Sequence, residues 1–185
     1  LEAVLDHAFK DKGGNGPGYT HIVAAGDNAT ILHYIENDDV IEDGELVLID
    51  AGCEVAYYTA DITRTWPVSG TYSAAQRALY EVVLAAQTEC IRNARIGVPY
   101  DSIHATAVEV LTDGLLSLGL LKGTLKKNID TEAYKKFYMH KTGHWIGLDV
   151  HDVGGYEEPM AEGMVFTVDA GIYVREWGIG LRIED

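Results

Sequence analysis

One pattern occurs twice in this chain and limits its architecture more than any other. Residues 45–65 read ELVLIDAGCEVAYYTADITRT and residues 163–185 read GMVFTVDAGIYVREWGIGLRIED. Each copy is an apolar run, then Asp-Ala-Gly, then a second acidic position further on. The first supplies Asp50 and Asp61, the second Asp169 and Glu184. Carboxylates emerging from apolar strands are costly to bury unless positive charge neutralises them. Between the copies, MHKTGHWIGLDVHD adds His140, His144 and His151. Acids and imidazoles in this arrangement suggest a two-metal site assembled by two related halves.

The surrounding pattern sets the fold class. Leu1, Val4, Leu5, Ala8 and Phe9 recur with helical period until KGGNG stops them. YTHIVAAG and TILHYIEN read as strand pieces, and ELVLID, EVAYY and DITRTWPV as strands of an antiparallel meander, because the links are too short for parallel crossovers. Ser73 and Gln76 form a capping box ahead of a helix with Leu79, Val83, Ala86 and Cys90 on one stripe. Asp101 is positioned to cap a second helix, with Ile103, Ala107, Val110 and Leu111 on one face and Gly119 as its stop. A short helix is expected near Thr131–Phe137, and strands return near HWIGLDV, MVFTVDA, IYV and GLRIE. Strands, then helices, then strands make an α+β domain rather than a doubly wound sheet.

Composition excludes several functions. The formal charge of −15 leaves no basic face for nucleic acid and suits cationic partners such as metal ions. No apolar run reaches the ~18 residues of a membrane span, and no secretory leader is visible. Cys53 and Cys90 make no disulfide framework; buried free thiols and a reducing, cytoplasmic compartment are expected. The 185 residues read as one domain, 1–185. It begins mid-helix and ends abruptly in a strand, as expected of a segment truncated at both ends.

The bland readings fail only together. A lone Asp before Gly is a turn residue by default, Asp61 can cap a turn, and Glu184 can pair with Arg182 at the surface. None of these explains the matched repetition. Two metal ions ~3.5–4 Å apart can hold a bridging hydroxide and polarise a carbonyl for hydrolysis. Asp61 and Glu184, on the second strand of each copy, are natural bridges; Asp50 can chelate one metal, and His144 with Asp169 can complete the other. Such ligands suit manganese, zinc, cobalt or iron. Arg182 falls on the strand face of Glu184, where it can hold a bridging carboxylate, and Arg64 can balance nearby charge. Trp145, Tyr156 and Tyr173 are candidate pocket walls, although aromatics at strand positions are core by default.

ILHYIEN, VLIDAGCEVAYYTADITRTWPVSG, MHKTGHWIGLDVHDVG and GIGLRIED together resemble the catalytic domain of aminopeptidase P, the Xaa-Pro aminopeptidases of metallopeptidase family M24, with prolidase the close relative. The resemblance covers nearly the whole segment. It implies the pita-bread fold, a curved antiparallel sheet with pseudo-twofold halves, and an N-terminal domain absent from this segment, through which a homo-oligomer could form. It implies the ligand set Asp50, Asp61, His144, Asp169 and Glu184, active-site histidines at His33, His140 and His151, and a supporting Arg182. It further implies two divalent ions, manganese in the usual case, and release of the residue preceding a proline from a peptide substrate. Hydroxide attacks the carbonyl, His151 stabilises the oxyanion, His140 positions the substrate and the acid at position 169 shuttles a proton. Prolidase activity on dipeptides, a non-catalytic peptide-binding module and a metal-free hydrolase of the creatinase kind are the alternatives.

Two departures from the family pattern stand out. Asp169-Ala170-Gly171 replaces Glu-Pro-Gly, shortening the acid by one methylene, and the stretches 151–164 and 173–178 are short. Misplacement of a reacting group by ~1 Å can cost ~10² in rate.

Overall fold

The structure, a computed structural model, describes residues 1–185. Its elements run α1 (Glu2–Asp11), β1 (Gly16–Pro17), β2 (Ile22–Ala25), β3 (Leu46–Asp50), β4 (Cys53–Val55), β5 (Tyr58–Thr59), β6 (Thr63–Pro67), α2 (Ala74–Asn93), α3 (Asp101–Ser117), α4 (Leu125–Asp130), β7 (Asp169–Val174) and β8 (Ile179–Glu184). Five strands form one antiparallel sheet in the order β2-β3-β6-β8-β7. The two sequence copies are its neighbouring strand pairs: β3 on β6, with Asp50 opposite Thr63, and β7 on β8, with Asp169 opposite Glu184. They meet where Thr63 faces Glu184 across β6 and β8.

Two-residue alternation sorts β7 and β8 into two faces. Ala170, Ile172, Val174, Ile179, Leu181 and Ile183 enter the main core, against Leu79, Val83 and Ala86 of α2 and Ile103, Ala107 and Leu111 of α3. Asp169, Gly171, Tyr173, Gly180, Arg182 and Glu184 take the opposite face. The helices thus act as a hydrophobic backing that holds the polar strand positions in a fixed register. The Ser73–Gln76 capping box is present at the start of α2.

Several expectations are corrected. The meander is interrupted: β3 pairs directly with β6, and EVAYY is not one strand but the β4–β5 hairpin, which joins β1 in a separate three-stranded sheet. TILHYIEN forms no strand. Gly26–Thr30 is a 3-10 turn, and the side chain of Asn37 closes the β2 edge, accepting from the Val23 amide and donating to the His21 carbonyl. An amide side chain supplies there what a neighbouring strand would. HWIGLDV makes only an isolated bridge, Trp145 to Phe166. Asp101 lies in the first turn of α3 rather than capping it; Tyr100 holds the N-cap position without a side-chain bond. The short helix expected near Thr131–Phe137 is a 3-10 helix over Ala133–Lys136, and an additional helix, α4, precedes it.

Candidate metal centre

A cavity of about 550 Å³ opens on the polar face of the sheet, and every predicted site residue lines it: His33, Asp50, Asp61, His140, His144, His151, Asp169, Arg182 and Glu184. Each arrives by a different route. Asp50 ends β3, Asp169 begins β7, and Glu184 ends β8. Asp61 lies in the irregular link between β5 and β6, not on a strand. His140, His144 and His151 come from an extended loop, and His33 from the turn after the 3-10 segment.

His144 is delivered by a close backbone approach. Gly143 has φ +139°, and a Cβ there would lie 2.0 Å from the Thr167 carbonyl oxygen. The loop therefore presses onto the strand-like segment before β7, where the Thr167 amide donates to the His144 carbonyl. His144 Nδ1–H then donates to the Trp145 carbonyl at 3.0 Å, which leaves Nε2 facing Asp61 Oδ2 at 3.4 Å and Glu184 Oε1 at 3.6 Å. A histidine whose far nitrogen is held by a carbonyl is oriented as a metal ligand. Donor atoms of Asp61, His144 and Glu184 all lie within 4.8 Å of one another.

Around this group the other charges are tied together. Arg182 Nη2 donates to Asp50 Oδ2 at 2.6 Å, and Arg182 Nε lies 3.9 Å from Asp169 Oδ1. Its expected hold on Glu184 is not made; Thr63 Oγ1 donates to Glu184 Oε2 at 3.0 Å instead. Arg64 bonds the Glu184 carbonyl and the Asp185 carboxylate. Arg182 Nη1 reaches Tyr173 Oη, whose hydroxyl donates to His140 Nε2 at 2.9 Å, while His140 Nδ1–H donates to the Lys141 carbonyl.

The electrostatics fit a cation. Asp50, Asp61, Asp169 and Glu184 converge with Arg182 as their one guanidinium partner in the cavity wall. Burial pushes the Asp169 carboxyl up to about 7 against the pull of Arg182, and its Oδ1 is buried without a hydrogen-bond partner. Burial and then Asp169 raise Glu184; burial raises Asp50 despite Arg182. Burial by itself lowers the His144 imidazole, but the hydrogen bonds to Asp61 and Glu184 outweigh it and push it up to about 10. A proton on His144 thus fills part of the charge deficit that a metal ion would fill. The residues present match the donor set of a hard or borderline divalent ion.

Of the aromatic candidates, Tyr156 and Tyr173 line the cavity, whereas Trp145 is buried among Tyr100, Tyr156 and Phe166. Sequence reasoning missed Tyr19 and Thr63. The Tyr19 hydroxyl lies 2.6 Å from both Asp50 Oδ1 and Asp61 Oδ1. Thr63 is placed by the pairing of β6 with β8, which sets it opposite Glu184. Nothing in the local sequence marks Tyr19.

A curved antiparallel sheet made of two like strand pairs, with helices on one face and an acid-and-histidine cavity on the other, is the α+β pita-bread architecture. The chain belongs to metallopeptidase family M24, whose family model matches residues 1–185. It is 49% identical to a Xaa-Pro aminopeptidase of Haemophilus influenzae and 43% identical to that of Escherichia coli, in each case over 100% of this chain but 46% and 45% of the relative. The chain therefore spans about half the length of these relatives. Among solved structures, Pseudomonas aeruginosa aminopeptidase PepP superimposes with a TM-score of 0.97 at 48% identity, over 100% of this chain and 45% of that one. A zinc-substituted E. coli aminopeptidase P in complex with product gives 0.94 at 42% identity, over 97% of this chain and 43% of that one.

Proposed function

We propose that this chain is the catalytic part of a metal-dependent aminopeptidase that releases the N-terminal residue from peptides with proline in the second position. The observation that carries the reading is the convergence of Asp61, His144 and Glu184 donor atoms within 4.8 Å, in a cavity that Asp50 and Asp169 also line. Identity to two bacterial Xaa-Pro aminopeptidases across the whole chain supports the substrate class.

Asp50, Asp61, His144, Asp169 and Glu184 would hold two divalent ions, which we take to be manganese. When bound, such a pair supplies a water nucleophile activated at neutral pH and polarises the scissile carbonyl. The chain's own residues do the rest. Tyr173 and the Lys141 carbonyl fix both nitrogens of His140, and burial keeps its imidazole neutral, at about 4, so it serves as a rigid wall for the substrate rather than a charge. His151 is exposed at the cavity and stacks edge-on against His144 at 4.3 Å between centroids. Burial and His144 lower its affinity for a proton, and its N–H is available to the carbonyl oxygen of a peptide. Asp169, with one oxygen unpartnered, is placed to take up the proton that the attacking water gives up and to pass it to the leaving amine. Arg182 keeps Asp50 in place, and His33 lines the same cavity. Two thiols outside any disulfide fit a reducing compartment, and we assign the protein to the cytoplasm.

The test is release of arginine from Arg-Pro-Pro by the purified protein after chelation and again with manganese. Manganese-dependent release supports the reading, and no release at saturating manganese refutes it. An Xaa-Pro dipeptide run in parallel separates this activity from that of a prolidase.

A further inference from the structure

Each Asp-Ala-Gly keeps its glycine bare against a tyrosine. A Cβ on Gly52 would stand 2.8 Å from a ring carbon of Tyr19 and 1.6 Å from the Ala60 carbonyl oxygen. A Cβ on Gly171 would stand 2.7 Å from Tyr173 Oη. The two tyrosines then each bridge two groups of the site. Tyr173 ties Arg182 to His140, whereas Tyr19 ties Asp50 to Asp61. The repeated glycine is thus explained by what lies over it in three dimensions, not by a turn at the glycine itself: neither Gly52 nor Gly171 has a positive φ.

Asp61 depends on this contact more than the other acids do. Asp50, Asp169 and Glu184 sit in strands whose ladders fix their backbone, and Asp61 does not. Its side chain touches two partners, Tyr19 through Oδ1 at 2.6 Å and His144 through Oδ2 at 3.4 Å. A phenol is un-ionised at neutral pH, so the Tyr19 hydroxyl is a donor. One O–H faces two carboxylate oxygens, and the second oxygen of each carboxylate is turned elsewhere: Asp50 Oδ2 to Arg182, Asp61 Oδ2 to the His144–Glu184 group.

We infer that Tyr19 is a positioning residue for metal: its hydroxyl pins one oxygen of Asp50 and one of Asp61, and so aims the other oxygen of Asp61 at the space shared with His144 and Glu184. This rests on the metal site proposed above. Partners that orient metal ligands in this way typically account for 10–100-fold in metal affinity. Phenylalanine at position 19 keeps the ring over Gly52 and removes only the hydroxyl.

The experiment is calorimetric titration of manganese into the chelated protein and its Tyr19→Phe variant, with near-UV circular dichroism to establish that both are folded. The rise of melting temperature with manganese concentration gives a second reading of the same affinity. Tyr34→Phe, which removes a buried hydroxyl bonded to Asp38, is the control. Manganese affinity is expected to fall about 10–100-fold in Tyr19→Phe and to stay within about twofold in Tyr34→Phe. Parent and Tyr19→Phe affinities within about twofold of each other would overturn the role of Tyr19 alone. A parent protein that binds no manganese would overturn the metal site itself.

Discussion

At the scale of single residues, Asp169 is the position where this chain departs from the pattern it resembles and where the site is least satisfied. Its Oδ1 is buried with no partner and its Oδ2 stands 3.4 Å from His140 Nδ1. Lengthening the side chain by one methylene extends the reach of its carboxyl. Asp169→Glu is therefore expected to raise kcat on Arg-Pro-Pro, by up to about 10²-fold if reach is the limitation. An unchanged kcat at saturating manganese sinks that account. His144 makes the opposite case. Its Nε2 is the nitrogen aimed at Asp61 and Glu184, so His144→Ala should abolish tight binding of at least one manganese equivalent, measured as metal content after gel filtration. The acids were legible because Asp-Ala-Gly followed by a second acid occurs in both copies, the histidines because three of them cluster between the copies, and both because several such groups cannot be buried alone. Tyr19 was not legible, since a residue that donates to two carboxylates 31 and 42 positions away leaves no local trace.

At the scale of elements, the two faces of the sheet respond differently to substitution. Ser73 accepts from the Gln76 amide on the helix side, away from the cavity. Ser73→Ala should cost about 1 kcal/mol in urea unfolding and leave manganese affinity unaltered. Gly143 belongs to the other face. Its φ of +139° and the 2.0 Å approach to the Thr167 carbonyl leave no space for a methyl group. Gly143→Ala is expected to destabilise by roughly 1–3 kcal/mol and to weaken manganese binding together with stability, because the loop that carries His144 must move. Equal metal affinity in that variant, measured by calorimetry, would show that His144 is held by something other than this approach. α2 was readable from its period and capping box and α3 from its period, whereas the cap of α3 and the place of α4 were not. The TILHYIEN segment was not, because its apolar residues suit a strand while the β2 edge it would pair with is closed by one asparagine side chain.

At the scale of the whole molecule, the site sets a pH dependence of stability that metal should remove. His144 moves from an ordinary 6.5 up to about 10, and Asp169 from 3.8 up to about 7. A group whose folded pKa is raised contributes stability below its unfolded value and loses it as pH rises through the folded value. For Asp169 that loss runs from about 4 to about 7, and for His144 from about 6.5 to about 10. Both act in the same direction; His104 and His140, lowered by burial to about 4, act oppositely between about 4 and 6.5 but over a narrower range. The chelated protein should melt at a higher temperature at pH 5 than at pH 9, and manganese should reverse or flatten the difference, since metal ligands must give up their protons. Scanning calorimetry with and without metal at the two pH values checks this; a chelated protein that is more stable at pH 9 contradicts it.

What the sequence determined by itself was the content of the site: which acids, which histidines, and that two like halves would bring them to one place. Repetition carries that information, and strand alternation adds to it for Asp169 and Glu184, which end on one face of paired strands; Asp61, off any strand, is placed by the fold. The tertiary structure alone decided how those groups are held. That Arg182 braces Asp50 rather than Glu184, that Thr63 takes Glu184, and that a tyrosine lies over each bare glycine all depend on contacts between segments far apart in the chain. Hydrogen bonds form by proximity in space, and packing the sheet against its helices is what creates that proximity.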